Sequence, residues 1–167
     1  MKTHEYKSRL TWDGAVGDEP FAYQSYNRKY TVHVDGKPDL HGSADPIFRG
    51  DPTRYNPEDL FVISLSSCHL LSYFALCARK GVAVVAYEDD ASGTMTINPD
   101  GSGKFEDVTL RPVVTIAPDA DKELALTLHD EAHRQCFIAS SVAIPVHHEA
   151  TICVASAHAG RAVGIKP

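Results

Sequence analysis

Four cysteines are the side chains of this sequence best suited to chemistry: Cys68, Cys77, Cys136 and Cys153. Cys68 and Cys77 lie nine residues apart on one predicted helix. They therefore differ by about half a turn in direction and about 13 Å in height, and cannot form a disulfide with each other. Cys68, in the middle of that helix, and Cys136, at the end of a second predicted helix, can meet if the two helices pack together. Cys77 and Cys153 are expected to be small core residues, because free cysteine packs as a small hydrophobe.

A metal site is an alternative to thiol chemistry, because three potential zinc ligands share one face of the second helix: His129, His133 and Cys136. Two more histidines follow at 147 and 148. The segment HDEAH, however, differs from the HExxH motif of metalloproteases. His69 follows Cys68 directly, but successive helical residues point about 100° apart. We expect His69 to be a buried, hydrogen-bonded histidine.

Composition excludes several classes of protein. The chain has 167 residues, with 16 basic and 22 acidic side chains and a net charge of -6, so it has no electrostatic footprint for nucleic acid or an anionic membrane. Residues 60–78 contain no acid and no base except His69, but four serines and two cysteines make them a poor membrane span. With no apolar signal segment at its start, the chain is expected to be cytoplasmic, and its cysteines are not expected to form a structural disulfide framework.

The first third of the chain predicts two strands, a loop and a long helix. Residues 5–12 and 21–34 have the composition of strands, with a turn at 35–36, and residues 36–55 predict a long loop because they hold three prolines and three glycines. Asn56 and Pro57 indicate the start of a helix that ends near Gly81. Its apolar residues fall on every side, which predicts a central helix surrounded by protein.

The rest of the chain predicts further strands and one more helix. Residues 82–97 indicate a strand pair or one long strand, 98–103 a turn, and 105–116 another strand. A helix from about 119 to 135 precedes a last strand at 147–155. This order predicts an α+β fold with largely antiparallel sheets packed around two central helices. We expect one domain over residues 1–155 and a poorly ordered tail over residues 156–167.

Two cysteine motifs resemble those of one known family. The segment YNPEDLFVISLSSCH is similar to the helix that carries the first cysteine in the OsmC/Ohr family, the osmotically inducible and organic hydroperoxide resistance proteins. The segment AHRQCFIASSV resembles the second cysteine motif of that family. The resemblance implies an intertwined homodimer that reduces organic hydroperoxides, with Cys68 as the peroxidatic thiol and Cys136 as the resolving thiol. It implies no cofactor and no metal, and a dithiol reductant, for example of the lipoyl type, that reopens the Cys68–Cys136 disulfide.

The family also uses an arginine, held by a glutamate at the helix start, to stabilise the reactive thiolate. Arginine suits this role because it stays charged and offers several donors at once. The resemblance implies Glu58 as the glutamate and Arg28 as the arginine, with Arg54 as the alternative. The apolar side chains near Cys68, of which Leu65 and Leu71 are examples, suit an organic hydroperoxide.

Several residues depart from the family pattern: Ser66, Ser67, His69 and Phe137 stand where alanines, phenylalanine and proline are usual. They indicate a divergent subgroup. They also keep open a second hypothesis, a binding module without catalytic activity that holds an apolar ligand or a partner.

Overall fold

The computed structural model describes residues 2–14 and 21–156. The chain divides into two compact units, Met1–Phe61 and Val62–Pro167. The tail predicted to be poorly ordered lies, from residue 157 onward, outside the described residues.

The first unit contains a small antiparallel sheet of three strands in the order β1-β2-β3. The strands are Arg9–Trp12 (β1), Tyr30–His33 (β2) and Leu40–Gly42 (β3), and a short 3-10 helix follows at Pro46–Phe48. The two predicted strands are therefore present but shorter than expected. The prediction of one loop over residues 36–55 is wrong for β3, where Gly42 pairs with Tyr30. An added Cβ at Gly42 would lie 2.2 Å from the Tyr30 ring, so any larger residue at this position requires that ring to move.

The long helix α1, Pro57–Lys80, begins and ends as the sequence predicts. Asn56 Oδ1 accepts the Asp59 N–H at 2.7 Å, and Asp59 Oδ2 accepts the Asn56 N–H at 3.2 Å, which is a reciprocal N-terminal cap. At the other end Gly81 has φ 75°, and the Val82 N–H bonds back to the Cys77 carbonyl at 2.9 Å. This C-terminal motif requires a left-handed residue, which glycine provides without strain.

The second unit contains two three-stranded sheets, a second helix and a short 3-10 helix. One sheet has the order β4-β7-β9 and the other β5-β6-β8. The elements are β4 Val84–Asp89, β5 Ser92–Ile97, β6 Gly103–Leu110, β7 Pro112–Ile116, α2 Lys122–Gln135, the 3-10 helix Ala139–Ser141, β8 Val146–His148 and β9 Thr151–Val154.

Both sheets of the second unit are mixed. The β4–β7 and β5–β6 pairs are antiparallel, whereas β6–β8 and β7–β9 are parallel. Only Arg111 separates β6 from β7, so the strand predicted over residues 105–116 leaves one sheet and enters the other. The α+β class is as predicted.

One face of α1 packs with α2 and the β4-β7-β9 sheet to form the core of the second unit. The core residues include Tyr73, Leu76, Cys77, Val114, Ile116, Ala125, Leu128, Ala132 and Ile152. By length and composition alone α1 also resembles a membrane span. Its packing against a sheet accounts for the apolar residues on its buried face, because a core helix needs apolar residues there as much as a membrane helix does.

The prediction that α1 is surrounded on all sides is wrong for the single chain. Leu71 is 67% exposed, Ile63 46% and Phe74 38%. These side chains leave one apolar face of α1 uncovered.

Candidate functional site

The structure brings together the two thiols singled out from the sequence. Cys68 lies half-buried in the middle of α1, and Cys136 is the buried C-cap residue of α2. Burial first, and the adjacent Cys68 side chain second, raise the pKa of the Cys136 thiol above its ordinary value. Both cysteines are free. The site therefore consists of an accessible thiol beside a buried one.

The end of α2 holds the Cys136 sulfur in place. The chain leaves the helix at Cys136 with φ -70° and ψ 110°, and the Cys136 Sγ accepts the N–H of Ala139 at 3.4 Å. Ala139 begins the short 3-10 helix. This hydrogen bond lowers the pKa of Cys136, but burial has the larger effect. At neutral pH Cys136 is thus a protonated thiol, suited to react second and not first.

The other two cysteines differ from each other. Cys77 is buried in the core, where burial raises the pKa of its thiol. Cys153 is exposed, so the expectation that it is a core residue is wrong. In β9 the neighbouring Ile152 is buried instead, because alternate residues of a strand point to opposite faces.

The predicted arginine and glutamate both belong to the first unit, and they do not form an ion pair in the described part of that unit. The Arg28 guanidinium donates to the carbonyls of Tyr26 at 2.8 Å and Tyr23 at 2.6 Å. It also lies over the Tyr26 ring, 4.0 Å from the centroid. Glu58 Oε2 is buried and has no hydrogen-bond partner among the described residues. A buried carboxylate oxygen without a partner is costly, so Glu58 has the properties expected of a group that receives a cation.

Arg54, the alternative arginine, already has a partner. Its Nη1 lies 2.9 Å from Asp13 Oδ2, and both side chains are about three-quarters buried. This interaction is the largest cause that lowers the pKa of Asp13. Arg54 therefore serves the first unit as an ion-pair partner.

A cluster of histidines adjoins the thiol-bearing helices. His69 of α1 and His129 of α2 are fully buried, and His69 Nε2 lies 3.0 Å from His129 Nδ1. The His148 ring packs 5.6 Å from the His69 ring and 5.5 Å from the ring of His133. The expected burial of His69 is correct, whereas its partner was not foreseen. The only sequence signal was the i, i+4 spacing of His129 and His133, which also suggests zinc.

Two of the three potential zinc ligands of α2 have other partners. His129 Nδ1 is bonded to His69, and the Cys136 sulfur faces Cys68 and Ala139. Within residues 2–14 and 21–156, no three side chains of the ligand types are arranged to hold a metal ion.

The residues that depart from the family pattern mostly have polar partners of their own. Ser66 Oγ donates to Asp89 Oδ2, and Ser67 Oγ donates to the carbonyl of Ile63 within α1. Together with His69, they give the helix around Cys68 polar contacts in place of apolar packing. Phe137, directly after Cys136, is 80% exposed.

Comparison with known proteins identifies relatives of this fold. Residues 50–150 match the family described as OsmC-like protein. An OsmC-like protein of unknown function from Vibrio cholerae is 30% identical, with a TM-score of 0.81 over 89% of this chain and 100% of that one. An organic hydroperoxide resistance protein OsmC from Legionella pneumophila has the same fold at 15% identity, with a TM-score of 0.66 over 92% of this chain and 100% of its own. An organic hydroperoxide resistance protein from Elizabethkingia anophelis also has this fold at 18% identity, with a TM-score of 0.66 over 93% of this chain and 100% of its own. No curated protein matches the sequence.

Proposed function

The chain belongs to the OsmC-like family, and from this premise we propose that it is a thiol-dependent peroxidase that reduces organic hydroperoxides to alcohols. The observation that carries the proposal is the pair formed by Cys68 and Cys136, one accessible and one buried, at the meeting point of two helices. Family membership supports a peroxiredoxin-like role. The pair supplies the two thiols that such a role requires.

The proposed reaction has three steps. The Cys68 thiolate attacks the O–O bond, the Cys68 sulfur takes the terminal OH as sulfenic acid, and the remaining alkoxide takes a proton and leaves as alcohol. The Cys136 thiol then attacks the sulfenic sulfur; an S–S bond forms, and the OH leaves as water with the thiol proton. A dithiol reductant finally reopens the disulfide by thiol–disulfide exchange and is itself oxidised to a disulfide.

The assignment of steps follows from exposure. Cys68 is the more accessible of the two sulfurs, so a substrate reaches it first. The raised pKa of Cys136 makes this thiol a poor first nucleophile. It retains its proton until the sulfenic acid beside it offers an electrophile.

We assign Arg28 as the cation that holds the Cys68 thiolate and Glu58 as the carboxylate that holds the arginine. The buried and unpartnered Glu58 Oε2 supports a cationic partner for that carboxylate. Arg28 now donates to two backbone carbonyls, which are neutral acceptors. Exchanging one of them for a carboxylate would strengthen the interaction, because the attraction between two opposite charges is then added to the hydrogen bond. Arg54 remains the alternative, at the expense of its pairing with Asp13.

The proposed partners are an organic hydroperoxide, a dithiol reductant such as a lipoyl group, and a second copy of the chain. Leu65 beside the thiol-bearing turn is fully buried, whereas Leu71 is largely exposed. The substrate side of the site thus depends on what covers the open face of α1.

Thiol counting tests the proposal directly. The protein has four free cysteines; titration with a thiol reagent before and after addition of cumene hydroperoxide should show the loss of two per chain. Cys68→Ser should lose none and should have no peroxidase activity with dihydrolipoamide, while its fold is unchanged because one sulfur is replaced by oxygen. Retained turnover in Cys68→Ser would overturn the assignment.

A binding module without catalysis is the second candidate, favoured by an open apolar groove of about 590 Å³. The groove lies between α1 and β4, and its lining includes Leu70, Phe74, Val82, Val84 and Tyr87. In the thiol titration this candidate predicts that hydroperoxide leaves all four thiols unchanged.

A further inference from the structure

In the core of the second unit, hydrogen bonds at two successive levels join α1 to α2. The Tyr73 hydroxyl donates to the Ala125 carbonyl at 3.0 Å. One helical turn away, the His69 and His129 rings share a hydrogen bond between Nε2 and Nδ1 at 3.0 Å. The rings are nearly parallel, with centroids 5.3 Å apart. The histidine bond therefore lies nearer to the thiols than the tyrosine bond does.

The two histidines are placed so that their bond bears on both sulfurs. His69 directly follows Cys68 on α1, so the backbone that carries one sulfur also carries one ring. His129 precedes Cys136 by seven residues, or about two turns, which puts both on the same face of α2. A slide of either helix along its axis moves its sulfur and its ring together, so a slide that separates the sulfurs also strains the bond between the rings.

The histidine bond is directional and buried, and apolar packing would not replace it. Each imidazole uses one nitrogen in the bond, while His69 Nδ1 and His129 Nε2 are buried without a partner among the described residues. The two unsatisfied nitrogens lower the stability of the fold, and the single bond between the rings is present despite this loss. Apolar residues would slide past one another at little cost, whereas a hydrogen bond weakens steeply with misalignment.

We propose that His69 and His129 are positioning residues that hold Cys68 and Cys136 at the separation needed to form their disulfide. The histidine bond fixes the register of the two helices, and the register sets how readily the sulfenic sulfur meets the second thiol. The purpose of this arrangement rests on the proposed peroxidase function; the arrangement itself does not.

The quantity to measure is the effective concentration of the thiol pair in equilibrium with reduced and oxidised glutathione. This equilibrium requires no hydroperoxide, so it is independent of whether the protein is a peroxidase. Exposed Cys153 is replaced by serine in every variant to avoid mixed disulfides. In His69→Phe and His129→Leu we expect the effective concentration to fall at least tenfold, which corresponds to about 30 mV.

Three matched variants separate positioning from general stability. His129→Asn places an amide where Nδ1 lies and should retain most of the effective concentration. His129→Gln places the same amide near the Nε2 position and should lose it, although both variants are polar and folded. Tyr73→Phe removes the bond between the Tyr73 hydroxyl and the Ala125 carbonyl; it should lower the free energy of unfolding but leave the thiol equilibrium within about twofold.

Three results would overturn the proposal. They are an unchanged effective concentration in His129→Gln, an equal loss in His129→Asn and His129→Gln, and an equal loss in Tyr73→Phe. The comparison of Asn with Gln remains decisive even if the apolar variants fail to fold. Failure of peroxidase activity in the wild type, with this pattern intact, would count against the proposed function alone.

Discussion

At the scale of single residues, the two thiols differ in environment more than in chemistry. Both belong to helices, yet Cys68 is half-buried within a helix and Cys136 is buried at a helix end. Burial raises the pKa of Cys136, so at neutral pH this residue is a thiol and not a thiolate. The difference suits a sequence of reactions in which one sulfur attacks and the other resolves.

Replacement of the second thiol should stop the cycle after its first step. Cys136→Ser leaves no sulfur beside Cys68, so we expect consumption of about one equivalent of hydroperoxide and then a stall. Mass spectrometry should find Cys68 as sulfenic acid, or as sulfinic acid with excess oxidant. Sustained turnover without oxidised Cys68 would mean that another thiol resolves the intermediate; exposed Cys153 is the first to test by a second replacement.

The role of the arginine predicts a change in the pH profile of Cys68 alkylation. If Arg28 holds the thiolate, Arg28→Met should move the rise in alkylation rate to higher pH by one unit or more, because each unit corresponds to about 1.4 kcal/mol of lost thiolate stabilisation. Arg28→Lys should restore only part of the effect, since an ammonium lacks the planar set of donors. Glu58→Gln should give a smaller shift.

Arg54→Met is the matched control for that experiment. Because Arg54 is paired with Asp13, its removal should leave the Cys68 profile unchanged and lower stability slightly. A shifted profile in Arg54→Met beside an unchanged one in Arg28→Met would transfer the role to Arg54. An unshifted Cys68 profile in both variants would refute the proposal that an arginine holds the thiolate.

At the scale of elements, the sequence predicts best what is decided locally. The start of α1 at Asn56 and its end at Gly81 depend on hydrogen bonds within a few residues, and both are found as expected. The two-cysteine site was also foreseeable, because the sequence around each cysteine resembles a known motif. Strand β3 was not foreseen, since a three-residue strand in a segment rich in proline and glycine is stabilised by its neighbour β2 and not by its own composition.

Contacts between distant elements could not be predicted from the sequence where no known motif marks them. His69 and His129 are 60 residues apart, and nothing in the local pattern of either helix indicates that their rings meet. The parallel pairing of β8 and β9 with β6 and β7 depends likewise on how the chain returns after α2. Single-residue burial depends on the same packing, as exposed Cys153 shows.

The histidine cluster between the helices predicts that the second unit is sensitive to acid. Burial, and then the charge of neighbouring histidines, lower the pKa of His69 to about 4 and that of His129 to about 3. In the unfolded chain a histidine titrates near 6.5, so the unfolded state binds more protons between these values. The resulting stability is complete above about pH 6.5 and is lost as the pH falls toward 4.

Charged neighbours change the size of this loss of stability in acid, but the protein still becomes less stable as the pH falls. His148 and His133 face the pair and disfavour its protonation, whereas Asp89 favours protonation of His69. Asp130 Oδ1 lies 3.3 Å from the His148 Nε2, a contact that is an ion pair only when that ring is protonated. Tyr73 packs on the His129 ring at 3.9 Å and has a pKa raised by burial, so it stays neutral throughout.

Urea unfolding at pH 7, 6, 5 and 4.5 measures the acid sensitivity. We expect the free energy of unfolding to fall by a few kcal/mol over this range, since each unit of pKa difference contributes about 1.4 kcal/mol. The double variant His69→Gln/His129→Asn keeps a hydrogen bond without titrating and should flatten the slope. Exposed His147→Asn should leave the slope unchanged, and equal slopes in the wild type and the double variant would contradict the explanation.

At the scale of the whole molecule, the main unexplained feature is the uncovered face of α1. A helix whose apolar residues point in all directions has only one face buried in the single chain, while Leu71, Ile63 and Phe74 remain exposed. Leaving such side chains in water is unfavourable by roughly 25 cal/mol per Å² of apolar surface. The open groove beside Phe74 and Val84 extends the same apolar surface.

We propose that a second copy of the chain covers this face, as the sequence resemblance implies. Leu71→Glu places a charge where apolar burial is expected, so it should convert a dimer into a monomer or weaken its association at least a hundredfold. Sedimentation equilibrium of the wild type and the variant measures this directly.

Val113→Glu, at an exposed apolar position on β7, is the matched control and should leave the dimer intact. A wild type that sediments as a monomer at all concentrations would refute the dimer. Equal dissociation in both variants would show that the face of α1 is not specifically the interface.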